Sequence, residues 1–130
     1  MPRTCKIDPT GGKITIKLSV TNALISGGDF KIYGFSDGIV TEQYKLQTGN
    51  TGTVEKDLVQ TAAKLVDQVV SWEVSSCAPL VTNSGIVTIE IYQNGQLCPS
   101  LPTANYTLSN VPNCASGTAL PLHGGLLFTK

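Results

Sequence analysis

Five residues, Gly34-Phe35-Ser36-Asp37-Gly38, fit the pattern G-x-S-x-G. In α/β-hydrolases that pattern sets a nucleophilic serine on a strained turn between a strand and a helix, and an acid and a histidine elsewhere in the chain complete the triad. Asp57 or Asp67 and then His123 follow here in the Ser, Asp, His order, so a serine hydrolase using Ser36 and His123 is one chemistry these residue types allow. It requires Ser36 and His123 to meet within hydrogen-bond reach near an acid. The context opposes it. Gly38 is followed by Ile-Val-Thr-Glu-Gln-Tyr, which reads as strand, so the elbow has no helix, and no alternating strand–helix pattern exists to build a parallel sheet. Ser36-Asp37-Gly38 is expected to be a hairpin turn with Gly38 at positive φ, and His123 a loop residue between Leu122 and Gly124. No catalytic residue is assigned.

Cys5, Cys77, Cys98 and Cys114 contain no C-x-x-C pair, and with a single His the spacing does not match a zinc site. No D-x-D-x-D-G loop offers a calcium site, so no metal or cofactor is expected. The cysteines are either two disulfides or four reduced, buried thiols. If they bridge, the Asn94-Gly95 hairpin constrains the pairing. Its first arm, Ile86 to Gln93, spans about 25 Å at roughly 3.3 Å per residue, with Cys77 toward its base and Cys98 opposite Ile91 near its tip. Those two lie too far apart to bond; of the two pairings that remain, Cys98–Cys114 with Cys5–Cys77 is the expected arrangement.

Strands and turns must position these groups. The arm Ile86-Val87-Thr88-Ile89-Glu90-Ile91-Tyr92-Gln93 is β-branched and aromatic, and Asn94-Gly95 is the pair best suited to a type I′ turn into Gln96-Leu97-Cys98-Pro99. Ile14, Ile16, Leu18 and Val20 alternate over Lys13–Val20, the pattern of a half-buried strand. Further strands are expected over 30–35, 39–47, 53–55, 70–75, 106–111 and 124–129, with a turn at Ser26-Gly27-Gly28-Asp29 and a loop from Cys77 to Gly85. Leu58, Ala62, Leu65, Val66 and Val69 recur at helical spacing, so 58–68 reads as a short amphipathic helix, with Asp57 as cap and Gln60 completing a capping box. The result is a mainly β single domain over 1–130, a two-sheet antiparallel sandwich of immunoglobulin-like architecture with one short helix; a small barrel is the alternative. The Cys…Trp…Cys hallmark of antibody domains is absent, since Cys5 is far from Trp72 along the chain. Trp72 alternates with Val70 and Val74 and reads as core rather than as a sugar-stacking platform, and Tyr33, Tyr44, Tyr92 and Tyr106 as edge or half-buried packing.

Nine basic and nine acidic residues cancel, and charged residues form only 14% of the chain, which argues against nucleic acid or a membrane surface as partner. No apolar run approaches the ~20 residues that span a bilayer. Met1-Pro2-Arg3-Thr4-Cys5 lacks the apolar stretch of a signal peptide, so synthesis in the cytoplasm is expected, unless Met1 replaces a removed leader. Asn105-Tyr106-Thr107 is a glycosylation sequon, meaningful only in a eukaryotic secretory route. A Thr-, Ser-, Gly-, Asn- and Gln-rich surface without a catalytic constellation points to a non-enzymatic structural or interaction subunit of a larger protein assembly, such as a phage or virus particle. Its partners would be protein subunits, met through sheet edges and loops. The alternative is a secreted or cell-surface ligand-binding module, with carbohydrate as one candidate ligand, which requires two disulfides and a solvent-exposed Tyr or Trp.

Overall fold

Period-two alternation dominates the chain, and in the computed structural model it becomes two packed sheets. The structure describes residues 3–49, 51–78, 84–98, 104–109, 113–116 and 119–130. The strands are β1 (Thr4–Lys6), β2 (Ile14–Thr21), β3 (Leu24–Gly34), β4 (Val40–Thr48), β5 (Thr53–Asp57), β6 (Gln68–Cys77), β7 (Ser84–Gln93), β8 (Gln96–Leu97), β9 (Ala104–Ser109) and β10 (Leu120–Thr129). A helix, α1 (Ala62–Leu65), lies between β5 and β6, and a 3-10 turn covers Cys114–Ser116. One sheet has the order β1-β10-β6-β3-β4; the other runs β5-β2-β7-β8, with β9 beside β8 on the same flank of β7. All described pairings of these strands are antiparallel except β1 with β10. Among the described residues neither sheet closes into a barrel.

The core lies between the sheets. Ile14, Ile16, Leu18 and Val20 of β2 and Val87, Ile89 and Ile91 of β7 face Phe30, Ile32, Val70, Trp72, Val74, Leu126 and Phe128 of the other sheet. Trp72 is 2% exposed and its ring lies 6.4 Å from that of Phe30, so it is core as expected. The Asn94-Gly95 turn has φ of 54° and 72°, the two positive values of a type I′ turn. Gly38 has φ 70°, and Asp37 accepts a hydrogen bond from the Ile39 amide at 2.9 Å, which closes the β3–β4 turn.

Three local expectations are corrected. Ser26-Gly27-Gly28-Asp29 is not a turn but part of β3, paired on both sides, with a register shift near Ile25. Within that stretch Gly28 is tightly placed, since a side chain there would approach the Leu46 carbonyl oxygen at 2.9 Å. The expected helix over 58–68 shrinks to Ala62–Leu65, capped by Thr61 rather than Asp57. Leu58 still extends from β5, donating to the Ile14 carbonyl, and Asp67 at φ 68° turns the chain into β6. Asp57 instead pairs across strands, accepting from the Thr15 hydroxyl at 2.7 Å. Finally β6, β7 and β10 are longer than expected, so Cys77, Ser84, Gly85 and His123 lie in strands. The expected strand at 106–111 sits at Ala104–Ser109, and Val111 lies outside the described residues, as does Pro99 of the hairpin's second arm.

Candidate interaction surface

The two residues of the serine-hydrolase pattern do not meet. Ser36 sits in the β3–β4 turn, whereas His123 is level with Glu73 of β6 and, through it, with Asp29 of β3. Asp29 and Gly34 are five residues apart on β3, about 16 Å of strand at ~3.3 Å per residue. His123 faces solvent and its Nδ1 lies 3.7 Å from Glu73 Oε1. Asp67 is held by its backbone near the turn, its amide donating to the Phe128 carbonyl and its carbonyl accepting from the Phe35 amide. Asp57 belongs to the other sheet.

All four cysteines are bridged, as Cys5–Cys98 and Cys77–Cys114, which overturns both the expected pairing and the four-thiol alternative. The hairpin geometry itself holds: the Cys98 amide donates to the Ile91 carbonyl at 2.8 Å, opposite the residue expected. The missing element was β1. Its parallel pairing with β10 places Cys5 at the sandwich flank shared with β8, beside Cys98. The bridge between Ala78 and Asn113, with the Cys114 amide donating to the Ala78 carbonyl, sets Cys114 beside Cys77. The Cys5–Cys98 bridge lines a cleft of about 660 Å³ with Ile7, Ile14, Ile91, Leu97 and Gln93.

Glu42 is a buried carboxylate at the edge of the core, 9% exposed. It accepts from the Tyr44 hydroxyl, from the Val59 amide at 2.7 Å, and from the Gln60 amide and side chain at 3.2 and 2.7 Å. Burial alone raises its pKa, but the hydrogen bonds from Tyr44, Val59 and Gln60 outweigh burial and hold the carboxyl below its ordinary value. Tyr44 is pushed up to about 12 by burial and by the adjacent Glu42. This clasp fastens the β5–α1 segment onto β4, which is why helical periodicity there yields so short a helix. A carboxylate whose pKa is depressed on folding stabilises above its unfolded value of 4.5, and that contribution is lost as pH falls through the folded value. Glu42→Gln is therefore expected to cost about 1–3 kcal/mol at neutral pH and to flatten the acid limb of the stability curve. Urea denaturation at neutral pH and at about pH 3 measures both effects.

The outer face of the β1-β10-β6-β3-β4 sheet carries polar cross-strand rows at one end: Lys45, Asp29, Glu73 and His123, then Gln43, Lys31, Ser71 and Gly125. The next row changes character. Val40, Tyr33, Val69 and Leu127 lie side by side on four strands, with Phe35 just beyond. Phe35, Ile39 and Val40 are 60%, 63% and 48% exposed, and Tyr33, Val69 and Leu127 are half-buried. A hollow of about 340 Å³ opens among Tyr33, Phe35, Val69, Gly125, Leu126 and Leu127. Single exposed apolar residues are ordinary, whereas a contiguous row on the solvent face of a sandwich makes this strip a candidate contact surface. The sequence reading missed it.

The remaining candidates give less. Tyr92 donates to Glu90 at 2.8 Å beside Lys17 on the other outer face, and Trp72 provides no exposed stacking platform. The sequon lies on β9, where Asn105, Tyr106 and Thr107 are described by backbone alone. Among the described residues no group of three or more His, Cys, Asp or Glu converges to hold a metal, and no helix is long and apolar enough to cross a membrane.

Fold and surface define a disulfide-bonded, two-sheet β domain with an apolar strip on one outer face. Comparison with protein-family models, curated proteins and solved structures found no significant match.

Proposed function

We propose that this chain is a non-enzymatic structural or interaction subunit of a larger protein assembly, of the kind found in phage or virus particles. The observation that carries the reading is the apolar row Val40-Tyr33-Val69-Leu127 on a sandwich face whose other rows are polar. Water leaves such a surface at a gain of roughly 25 cal/mol per Å² once a partner covers it. The immunoglobulin-like architecture belongs to the same reading, since two packed sheets leave one outer face free for contact. The two disulfides suit an assembly exposed to an oxidising medium, as extracellular particles are.

The test is size fractionation of the native source, followed by lysine crosslinking and mass analysis. The expected result is the chain in a high-mass fraction, with crosslinks to other protein subunits from Lys31 and Lys45 on this outer face. Recovery of the chain as a free monomer with no protein crosslinks overturns the reading, and binding of the purified chain to glycans would put the secreted carbohydrate-binding module in its place.

A further inference from the structure

We infer that the same outer face docks a second copy of this chain, about a two-fold axis running along β6. This rests on the interaction-subunit reading and names the partner.

The argument begins with register. β6 is the middle strand of its sheet, flanked by β3 and β10 and then by β4 and β1. A two-fold axis parallel to β6 keeps height along the strands and exchanges the two flanks, so each residue of β3 faces the β10 residue at its own level on the second copy. Tyr33 then lies over the second copy's Leu127, and Val69 over itself. One row up, the Lys31 stem lies over the second copy's Gly125, where the missing side chain leaves the hollow. At the rim Asp29 faces the second copy's His123. The like-charge meeting of Glu73 with itself falls at this rim, with His123 of the same copy 3.7 Å away. Turning the axis across the strands would set Tyr33 on Tyr33 and Leu127 on Leu127 while leaving Asp29 and His123 without a counterpart. Charge and shape therefore choose the first arrangement. In an isologous contact each such pairing occurs twice.

The layout of the face fits as well. A standard interface buries about 800 Å² per partner; the apolar strip with exposed Phe35 and Val40 supplies its centre, and the polar rows supply the remainder. A small, half-polar interface of this kind gives a dimer with Kd in the micromolar range.

Sedimentation velocity of the disulfide-intact chain from about 1 to about 200 µM reads the equilibrium over that range. The expected result is a concentration-dependent monomer–dimer transition. Phe35→Ser with Val40→Lys weakens it at least about tenfold without lowering Tm, because both side chains are exposed. His123→Lys tightens it and Asp29→Lys loosens it. Ser71→Cys, which this axis places opposite itself across the roughly 10 Å that separates packed sheets, is joined between copies by a short bis-maleimide, whereas Lys45→Cys at the sheet flank is not. A chain that stays monomeric throughout overturns the inference and leaves the assembly reading to its own crosslinking test. A dimer indifferent to Phe35 and Val40, or one trapped by Lys45→Cys and not by Ser71→Cys, overturns the proposed face.

Discussion

Replacing Cys5 and Cys98 together by alanine lowers the unfolding free energy by about 4.7 kcal/mol if chain entropy alone decides, and replacing Cys77 and Cys114 by about 3.9 kcal/mol. The bridges join residues 93 and 37 apart in sequence, and the longer loop restricts the unfolded chain more. The two loops interleave but share only the stretch from Cys77 to Cys98. Closing one therefore shortens the other's effective path only slightly, and the two losses should nearly add. A domain of this size is stable by about 5–15 kcal/mol, so either loss is a large share of the total. The Cys5–Cys98 bridge has a local effect too. β1 is three residues long and sits at a sheet edge, held by its parallel pairing with β10 and by the Ile7 amide on the Thr129 carbonyl at 2.7 Å. Without the bridge this strand frays before the rest unfolds. Urea denaturation of each double variant gives the global loss. Amide exchange then separates the bridges: faster exchange at Ile7 is expected for Cys5→Ala/Cys98→Ala and not for Cys77→Ala/Cys114→Ala. Equal losses, or an unchanged Ile7, would mean that chain entropy and edge fastening are not what these bridges supply.

How much of this was legible in the chain depends on how local each cause is. β2 and the β7–β8 hairpin could be read directly, because period two and Asn-Gly act within a few residues. The Ser26–Asp29 stretch misled because its residues favour a turn in isolation, while β4 and β6 both pair with it in the fold. The helix was overestimated for a similar reason: Leu58, Ala62 and Leu65 are buried at helical spacing, but Glu42, far back in the chain, holds Val59 and Gln60 first. The cysteine pairing needed the position of β1, whose partner strand is the last in the chain. The apolar row was the least legible feature. Each of its four strands contributes a single apolar residue on its solvent side, which is unremarkable strand by strand, and only the registers bring the four together.

Trp72 and Gly124 are expected to show the strongest coupling in the core. They are paired across β6 and β10, and a methyl group at Gly124 would lie 2.6 Å from three atoms of the indole. The ring is buried and rigid, and Phe30 packs beside it, so it cannot swing away as a flexible side chain would. Gly124→Ala should thus cost about 1–3 kcal/mol through overpacking, against the usual gain from replacing a strand glycine. Trp72→Ala alone should cost about 3–5 kcal/mol, from lost burial and the cavity that remains. The decisive measurement is the double variant. With the indole gone the new methyl group enters vacated space, so Gly124→Ala made in the Trp72→Ala background should be neutral or stabilising, and the two losses will not add. Urea midpoints of the four proteins close the cycle. If Gly124→Ala costs the same in both backgrounds, the glycine is required by the backbone of β10 rather than by the ring above it. If the cost disappears, the pair is a single packing unit in which the absence of one side chain makes room for the other.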